Sequence, residues 1–123
     1  MRVGKAAQLF AAKALWQATG LRSAGRTLVR ALGSPDDDVR TLAGMFLVQG
    51  GQKAGPLLDE ALRRREHLPI VLTLLADLGD PRHEPALRAF ATDPDPAVAE
   101  SARQALRVLE FARGTAAAAA KGA

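Results

Sequence analysis

The chain has 123 residues, a net charge of +4, a hydrophobic content of 48% and no cysteine. This length suits one domain, and the composition excludes wholesale disorder, disulfides and thiolate chemistry. No apolar stretch reaches the roughly 20 residues of a transmembrane helix, and Lys13 interrupts the apolar run that a signal peptide needs, so we expect a cytoplasmic protein.

The positive charge is concentrated at the N-terminal end. Residues 1–35 hold six basic and no acidic side chains, whereas residues 36–123 hold eleven basic and thirteen acidic ones. A charge excess at one end indicates an anionic partner for that end rather than for the whole surface.

The first predicted helix carries two apolar groups. Its main stripe has the i, i+3, i+4, i+7, i+8 spacing of an amphipathic helix and consists of Ala7, Phe10, Ala11, Ala14 and Leu15. Leu9 and Trp16 lie off this stripe, in the same sector as Arg2, Lys5 and Lys13. A Trp beside cations is typical of protein interfaces and of helices on anionic membranes. The alternative is that Trp16 packs on the second helix.

The same stripe recurs three more times along the chain. It returns as Val39, Leu42, Ala43, Phe46 and Leu47, then as Leu68, Val71, Leu72, Leu75 and Ala76, and finally as Val98, Ser101, Ala102, Ala105 and Leu106. Gly20, Gly50 and Gly79 each follow one of these helices, where a residue in the left-handed conformation ends a helix. Such a repeat of helix pairs, each too poor in apolar surface to fold alone, is typical of an α-solenoid.

The pattern predicts seven helices, at residues 3–18, 23–33, 36–49, 54–66, 68–78, 82–91 and 96–112. Ser34 is the expected N-cap of the third helix, with a proline and carboxylates in the turn that follows. We expect one domain over residues 1–113 and an Ala-rich, disordered tail over 114–123. The buried positions should include Leu42, Phe46, Leu57, Leu58, Leu62, Val71, Leu72, Leu75, Leu87, Phe90, Leu106 and Leu109.

Two segments resemble the signature of HEAT-like repeats. Residues 34–43 read Ser-Pro-Asp-Asp-Asp-Val-Arg-Thr-Leu-Ala, and residues 93–102 read Asp-Pro-Asp-Pro-Ala-Val-Ala-Glu-Ser-Ala. The short period is similar to that of the bacterial phycobilisome-lyase-type HEAT-like repeats rather than to the roughly 40–47 residues of the longer classes. The resemblance covers about residues 20–112. It implies an all-α fold, a short right-handed α-solenoid of about three HEAT-like helix pairs plus an extra N-terminal helix.

Reactive groups do not converge in the sequence. His67 and His83 are the only histidines, and two histidines at helix ends do not supply the three or four ligands of a zinc site. The carboxylates of residues 36–38 are explained by the helix dipole. The arginines of residues 63–65 suit either a helix C-terminus or an anion-binding patch. We therefore expect no enzyme activity, no cofactor, no metal and no small-molecule substrate.

The sequence favours a non-catalytic protein–protein interaction module, either an adaptor or a small structural subunit of a larger complex. We expect a protein partner to dock at the N-terminal helix. The expected partner-binding residues are Arg2, Lys5, Leu9, Lys13, Trp16, Arg22 and Arg26. The alternative is binding of nucleic acid or an anionic membrane surface through the same basic region, with an affinity that falls steeply with salt.

Overall fold

A computed structural model describes residues 3–122, and among them the side chains of residues 3–115, 118 and 119. Helices make up 83% of the described residues, and residues 3–122 contain no strand. The α-helices are α1 (Val3–Thr19), α2 (Arg22–Ala31), α3 (Asp37–Gln49), α4 (Ala54–Arg63), α5 (Leu68–Asp77), α6 (Glu84–Phe90) and α7 (Pro96–Gly122). Single 3-10 turns precede α4 and α6, at Gly51–Lys53 and Pro81–His83. The predicted all-helical class with seven helices is confirmed.

The chain forms two compact units, Met1–His67 and Leu68–Ala123. In the first unit α2 is central, because it contacts α1, α3 and α4, and α1 also contacts α3. In the second unit α7 contacts both α5 and α6.

The second unit is built on α5, whose predicted stripe is buried along its whole length. On α7 the buried positions are mostly alanines, so a leucine-rich helix meets a helix with a flat, small-residue face. Leu87 is the buried residue of α6. The carboxylate of Glu84 accepts hydrogen bonds from Arg88 and from Arg113, which ties α6 to α7, and the bond from Arg88 is the main reason that the pKa of Glu84 is lowered.

The predicted core is largely confirmed. Nine of the twelve positions are buried, and Leu42, Phe90 and Leu106 are half-buried. The stripes of α3, α5 and α7 face the interior as expected. The stripe of α1 does not, and that prediction is wrong: its five residues are all exposed.

Two predicted helix ends need correction. Gly20 and Gly79 have the expected positive φ angles of 73° and 68°, but Gly50 has φ −70°, and the left-handed residue is Gly51 with φ 58°. The N-cap of α3 is Asp36, whose carboxylate accepts a hydrogen bond from the backbone N–H of Asp38 at 2.9 Å. This bond is the main reason that the pKa of Asp36 is lowered.

The N-cap differs from the prediction because serine and aspartate cap almost equally well. The identity of the cap therefore depends on where the helix starts, and α3 starts at Asp37. Ser34 instead accepts a hydrogen bond from the backbone N–H of Asp36 at 3.2 Å. A similar turn precedes α6, where hydrogen bonds from Arg82 lower the pKa of Asp80 to about 2.

The end of α7 also differs from the predicted residue 112, since the helix continues to Gly122. Alanine is the strongest helix former, and residues 116–120 are an alanine run, which explains the continuation. The expected disorder of residues 114–123 stays a prediction.

The core of the second unit gives the first test. Leu72 of α5 is fully buried, and replacing a buried leucine by alanine removes apolar contacts and leaves a cavity. We expect Leu72→Ala to lower the free energy of unfolding by about 2–5 kcal/mol, measured by urea denaturation. Thr73→Ala, at an exposed position on the same helix, should change it by less than about 0.5 kcal/mol. A similarly small loss for Leu72→Ala would contradict the assigned core.

Candidate functional site

The first helix is rotated about its axis relative to the prediction. Leu9 and Trp16 were expected on an accessible flank, but they are 0% and 2% exposed, and Ala12 is buried between them. These three residues have the i, i+3, i+7 spacing of one helix face. The prediction that Leu9 and Trp16 form an accessible binding surface is therefore wrong.

Two glycines create the space that Trp16 fills. A Cβ atom at Gly50 would lie 2.3 Å from Cη2 of the indole, and a Cβ at Gly25 would lie 3.0 Å from its Cδ1 and Nε1. The distance at Gly50 is too short for any residue with a side chain, and a Cβ at Gly25 would also lie 2.5 Å from Cδ1 of Leu57, so the two glycines let α2 and the end of α3 approach the ring this closely. Trp16 buries more apolar surface than any residue of the exposed stripe, which explains why α1 turns this face inward.

The opposite face of α1 is left in solvent. Seven apolar residues within a sector of about 140°, at 100° per residue, are all exposed: Val3, Ala7, Phe10, Ala11, Ala14, Leu15 and Ala18. We call this surface the α1 face. Its two largest side chains are Phe10, 53% exposed, and Leu15, 47% exposed. It includes the stripe whose counterparts in α3, α5 and α7 are largely buried.

Lysines and an aromatic pair border the α1 face. Phe10 packs edge-on against Phe46 of α3, with ring centroids 4.9 Å apart. The Nζ atom of Lys13 lies 4.6 Å from the centroid of the Phe46 ring, within cation–π range. Lys53 donates a hydrogen bond to the carbonyl oxygen of Gln17, near the C-terminal end of α1. Lys5 is exposed in the first turn of α1, on the same side of the helix as Trp16, and α1 contains no acidic residue.

The remaining predicted site residues lie on α2. Arg26 lines a groove between α2 and α4 with a volume of about 370 Å³, and Arg22 is one turn earlier on the same helix. Arg2 lies outside the described residues. The seven predicted residues therefore do not form one site: two are buried, Lys13 borders the α1 face, Lys5 lies in the first turn of α1 on the side of Trp16, and two belong to α2.

Other reactive residues of the described chain do not assemble into a site. No group of three His, Asp or Glu residues within residues 3–122 is placed to hold a metal ion. His67 is half-buried with its imidazole against Gly33, and His83 ends a 3-10 turn. Arg64 forms an ion pair with Glu60 at 2.8 Å. None of the described helices is long and apolar enough to cross a membrane.

A comparison with family models, curated proteins and solved structures gives no match to this chain. The function of the chain is therefore inferred from its own surfaces.

The Trp16 contact predicts a stability change that an exposed tryptophan would not produce. We expect Trp16→Ala to lower the free energy of unfolding by about 3–5 kcal/mol, and Gly50→Ala to lower it by at least about 1 kcal/mol through overpacking. In the double variant the losses should be less than additive, because the alanine at position 50 then meets no ring. Urea denaturation measures all three.

The controls are Gly4→Ala, where an added Cβ has no neighbour within 4 Å, and Phe111→Ala, at a largely exposed position. Both should be close to neutral. Additive losses from Trp16→Ala and Gly50→Ala would contradict the contact between these two positions.

Proposed function

We propose that this chain is a non-catalytic protein–protein interaction module whose partner docks on the α1 face. The observation that carries the proposal is the exposure of seven apolar residues in one sector of α1. Scattered apolar residues are normal on protein surfaces, whereas a contiguous apolar patch bordered by polar groups is typical of an interaction site.

The repeat architecture supports this proposal. We infer a short right-handed α-solenoid of HEAT-like pairs, in which each repeat covers its neighbour and terminal repeats normally turn a polar face to water. The HEAT-like string of residues 34–43 folds consistently with the resemblance: Asp36 caps α3, Val39 is buried, and Arg40 donates to the carbonyl oxygen of Ser34 at 2.5 Å. The α1 face includes the apolar stripe of the first helix. In a solenoid such a stripe contacts the neighbouring repeat, and on α1 the partner protein would occupy the position of that repeat.

The chemistry of the α1 face indicates an amphipathic helix with acidic flanks as the occupant. Four of its seven residues are alanines, which let a second helix approach closely. Lys13 and Lys53 border the face and no acid balances them on α1. Carboxylates beside the partner's apolar stripe would therefore complement this surface.

Two other occupants fit less well. A helix that lies in a membrane interface uses large residues such as Trp, Phe and Leu, and most of the α1 face is alanine while Leu9 and Trp16 are buried. A second copy of this chain would bring two lysine-bordered faces together, and like charges oppose such a contact.

A defined probe tests the proposal. We would synthesise an amphipathic helix of the same length as α1, with an apolar stripe flanked by glutamates, and measure its binding by fluorescence anisotropy. Ala11→Glu with Leu15→Glu should weaken binding at least about tenfold, because these changes place carboxylates inside the contact. Thr73→Glu with Thr92→Glu adds the same charge at exposed positions of the second unit and should change binding less than about twofold.

The alternatives give different results in the same assay. Stronger binding of a lysine-flanked peptide, or of phosphatidylglycerol vesicles, would contradict the acidic helix as occupant. Dimerisation in sedimentation experiments that is lost with Ala11→Glu and Leu15→Glu would indicate a second copy. Binding to single-stranded oligonucleotides that disappears between about 50 and about 200 mM salt would favour the nucleic-acid alternative.

A further inference from the structure

Three arginines form a row along α2. Arg22, Arg26 and Arg30 are spaced four residues apart, so they follow one face of the helix, and all three are exposed. Within the described residues none of them takes part in an ion pair. Like charges at this spacing repel each other on a helix, and the other arginine-bearing helices provide carboxylates for most of their arginines. An anion from outside the chain would remove the repulsion.

The groove beside this row has an apolar floor. Arg26 and Arg30 stand on its α2 side, and Leu57 and Ala61 of α4 lie opposite. Both α4 residues are buried, and so is Val29 of α2, which also lines the groove. A ligand in this groove therefore meets guanidinium groups on one side and apolar side chains on the other.

The groove also contains two carboxylates. Glu60 is paired with Arg64, with 2.8 Å between the nitrogen and the oxygen. Glu66 lines the same groove and has no ion pair within the part of the chain that the structure describes. Of the charged residues that line the groove, Arg26, Arg30 and Glu66 thus have no ion pair within the described residues. The two positive charges favour an anionic ligand, and the negative charge of Glu66 opposes a polyanion.

We propose that this groove binds an extended acidic peptide segment with two carboxylates two residues apart and an apolar residue between them. Arg26 and Arg30 are separated by about 6 Å along the helix axis. Alternate residues of an extended chain are separated by about 6.6 Å and point to the same side. The two carboxylates would therefore each meet one guanidinium, and the residue between them would point toward Leu57 and Ala61. The proposal assumes a protein partner, as the proposed function does, but it uses a different surface.

Nucleic acid is the less suitable occupant. Its evenly spaced phosphates would pass Glu60 and Glu66, and no aromatic residue lines the groove to stack on a base. Guanidinium groups bind both carboxylates and phosphates, so the test must distinguish the two.

The experiment is an NMR titration of the full chain labelled with ¹⁵N. The probes are capped peptides containing Asp-Leu-Asp, Asp-Ser-Asp or Lys-Leu-Lys, and an oligothymidylate. We expect the Asp-Leu-Asp peptide to shift the Nε–H signals of Arg26 and Arg30 and to bind at least about threefold more tightly than Asp-Ser-Asp, because the leucine contacts the apolar floor. The Lys-Leu-Lys peptide should not shift these signals.

Substitution of the arginines provides the control. Arg26→Gln with Arg30→Gln should weaken binding of the Asp-Leu-Asp peptide at least about tenfold. Arg63→Gln with Arg107→Gln, which removes the same charge at exposed positions outside the groove, should weaken it less than about twofold. Exposed arginines tolerate these changes, and circular dichroism would verify that both variants stay folded.

Three results would overturn the proposal: equal binding of the Asp-Leu-Asp and Asp-Ser-Asp peptides, equal losses in the two double variants, or tighter binding of the oligothymidylate at Arg26 and Arg30. Failure here leaves the α1 face untouched, because its test uses a different probe and different variants. Conversely, the Ala11→Glu and Leu15→Glu double variant, which should lose binding of the helical probe, should bind the Asp-Leu-Asp peptide as tightly as the unchanged chain.

Discussion

The indole of Trp16 occupies the space that Gly25 and Gly50 leave open, and the orientation of the first unit's surface depends on this contact. Once the ring is inside, the i, i+3, i+7 geometry of α1 requires Leu9 and Ala12 to be buried with it. The opposite side of the helix then faces solvent, whatever its composition. The α1 face is thus exposed because the Trp16 side chain is buried on the opposite side of the helix, and the proposed docking surface is a consequence of that burial.

Hydrophobic periodicity alone was sufficient to predict the buried sides of α3, α5 and α7. The stripe of α5, which includes Leu68, Val71 and Leu72, is buried as its spacing predicts, and Leu74 on another face of the helix is buried as well. α1 carries apolar residues all around, and periodicity then gives two solutions. Which face of α1 is buried depends in part on Gly25, which lies 9 positions after Trp16 in the chain. Gly25 matters through its tertiary contact with the Trp16 ring, which no sequence pattern shows. A glycine inside a helix lowers the stability of that helix, so the presence of Gly25 in the second predicted helix was the available sequence signal for a close contact there.

The candidate sites show a similar division. The basic N-terminal region, which includes Arg22 and Arg26, could be inferred from charge alone, because residues 1–35 lack acids. The groove could not, because its second wall comes from α4, two α-helices later in the chain, and no local pattern relates Leu57 to Arg26. Charge distribution along a sequence indicates which end attracts an anion. It does not say whether the charges surround an apolar floor, and that property distinguishes a peptide groove from a solvated helix face.

The contact between Trp16 and its two glycines also constrains how this chain can change over evolutionary time. A side chain at position 50 is tolerated only after the indole has been replaced by something smaller, and a smaller residue at position 16 leaves a void until position 50 has gained a side chain, whereas a side chain at position 25 would also meet Leu57. Each single step at positions 16 and 50 crosses a less stable intermediate, so these two positions should vary together among homologous sequences rather than independently. Where Trp16 is absent, the inward side of α1 is no longer determined by this contact, and the helix is free to turn its alanine-rich stripe toward its own chain.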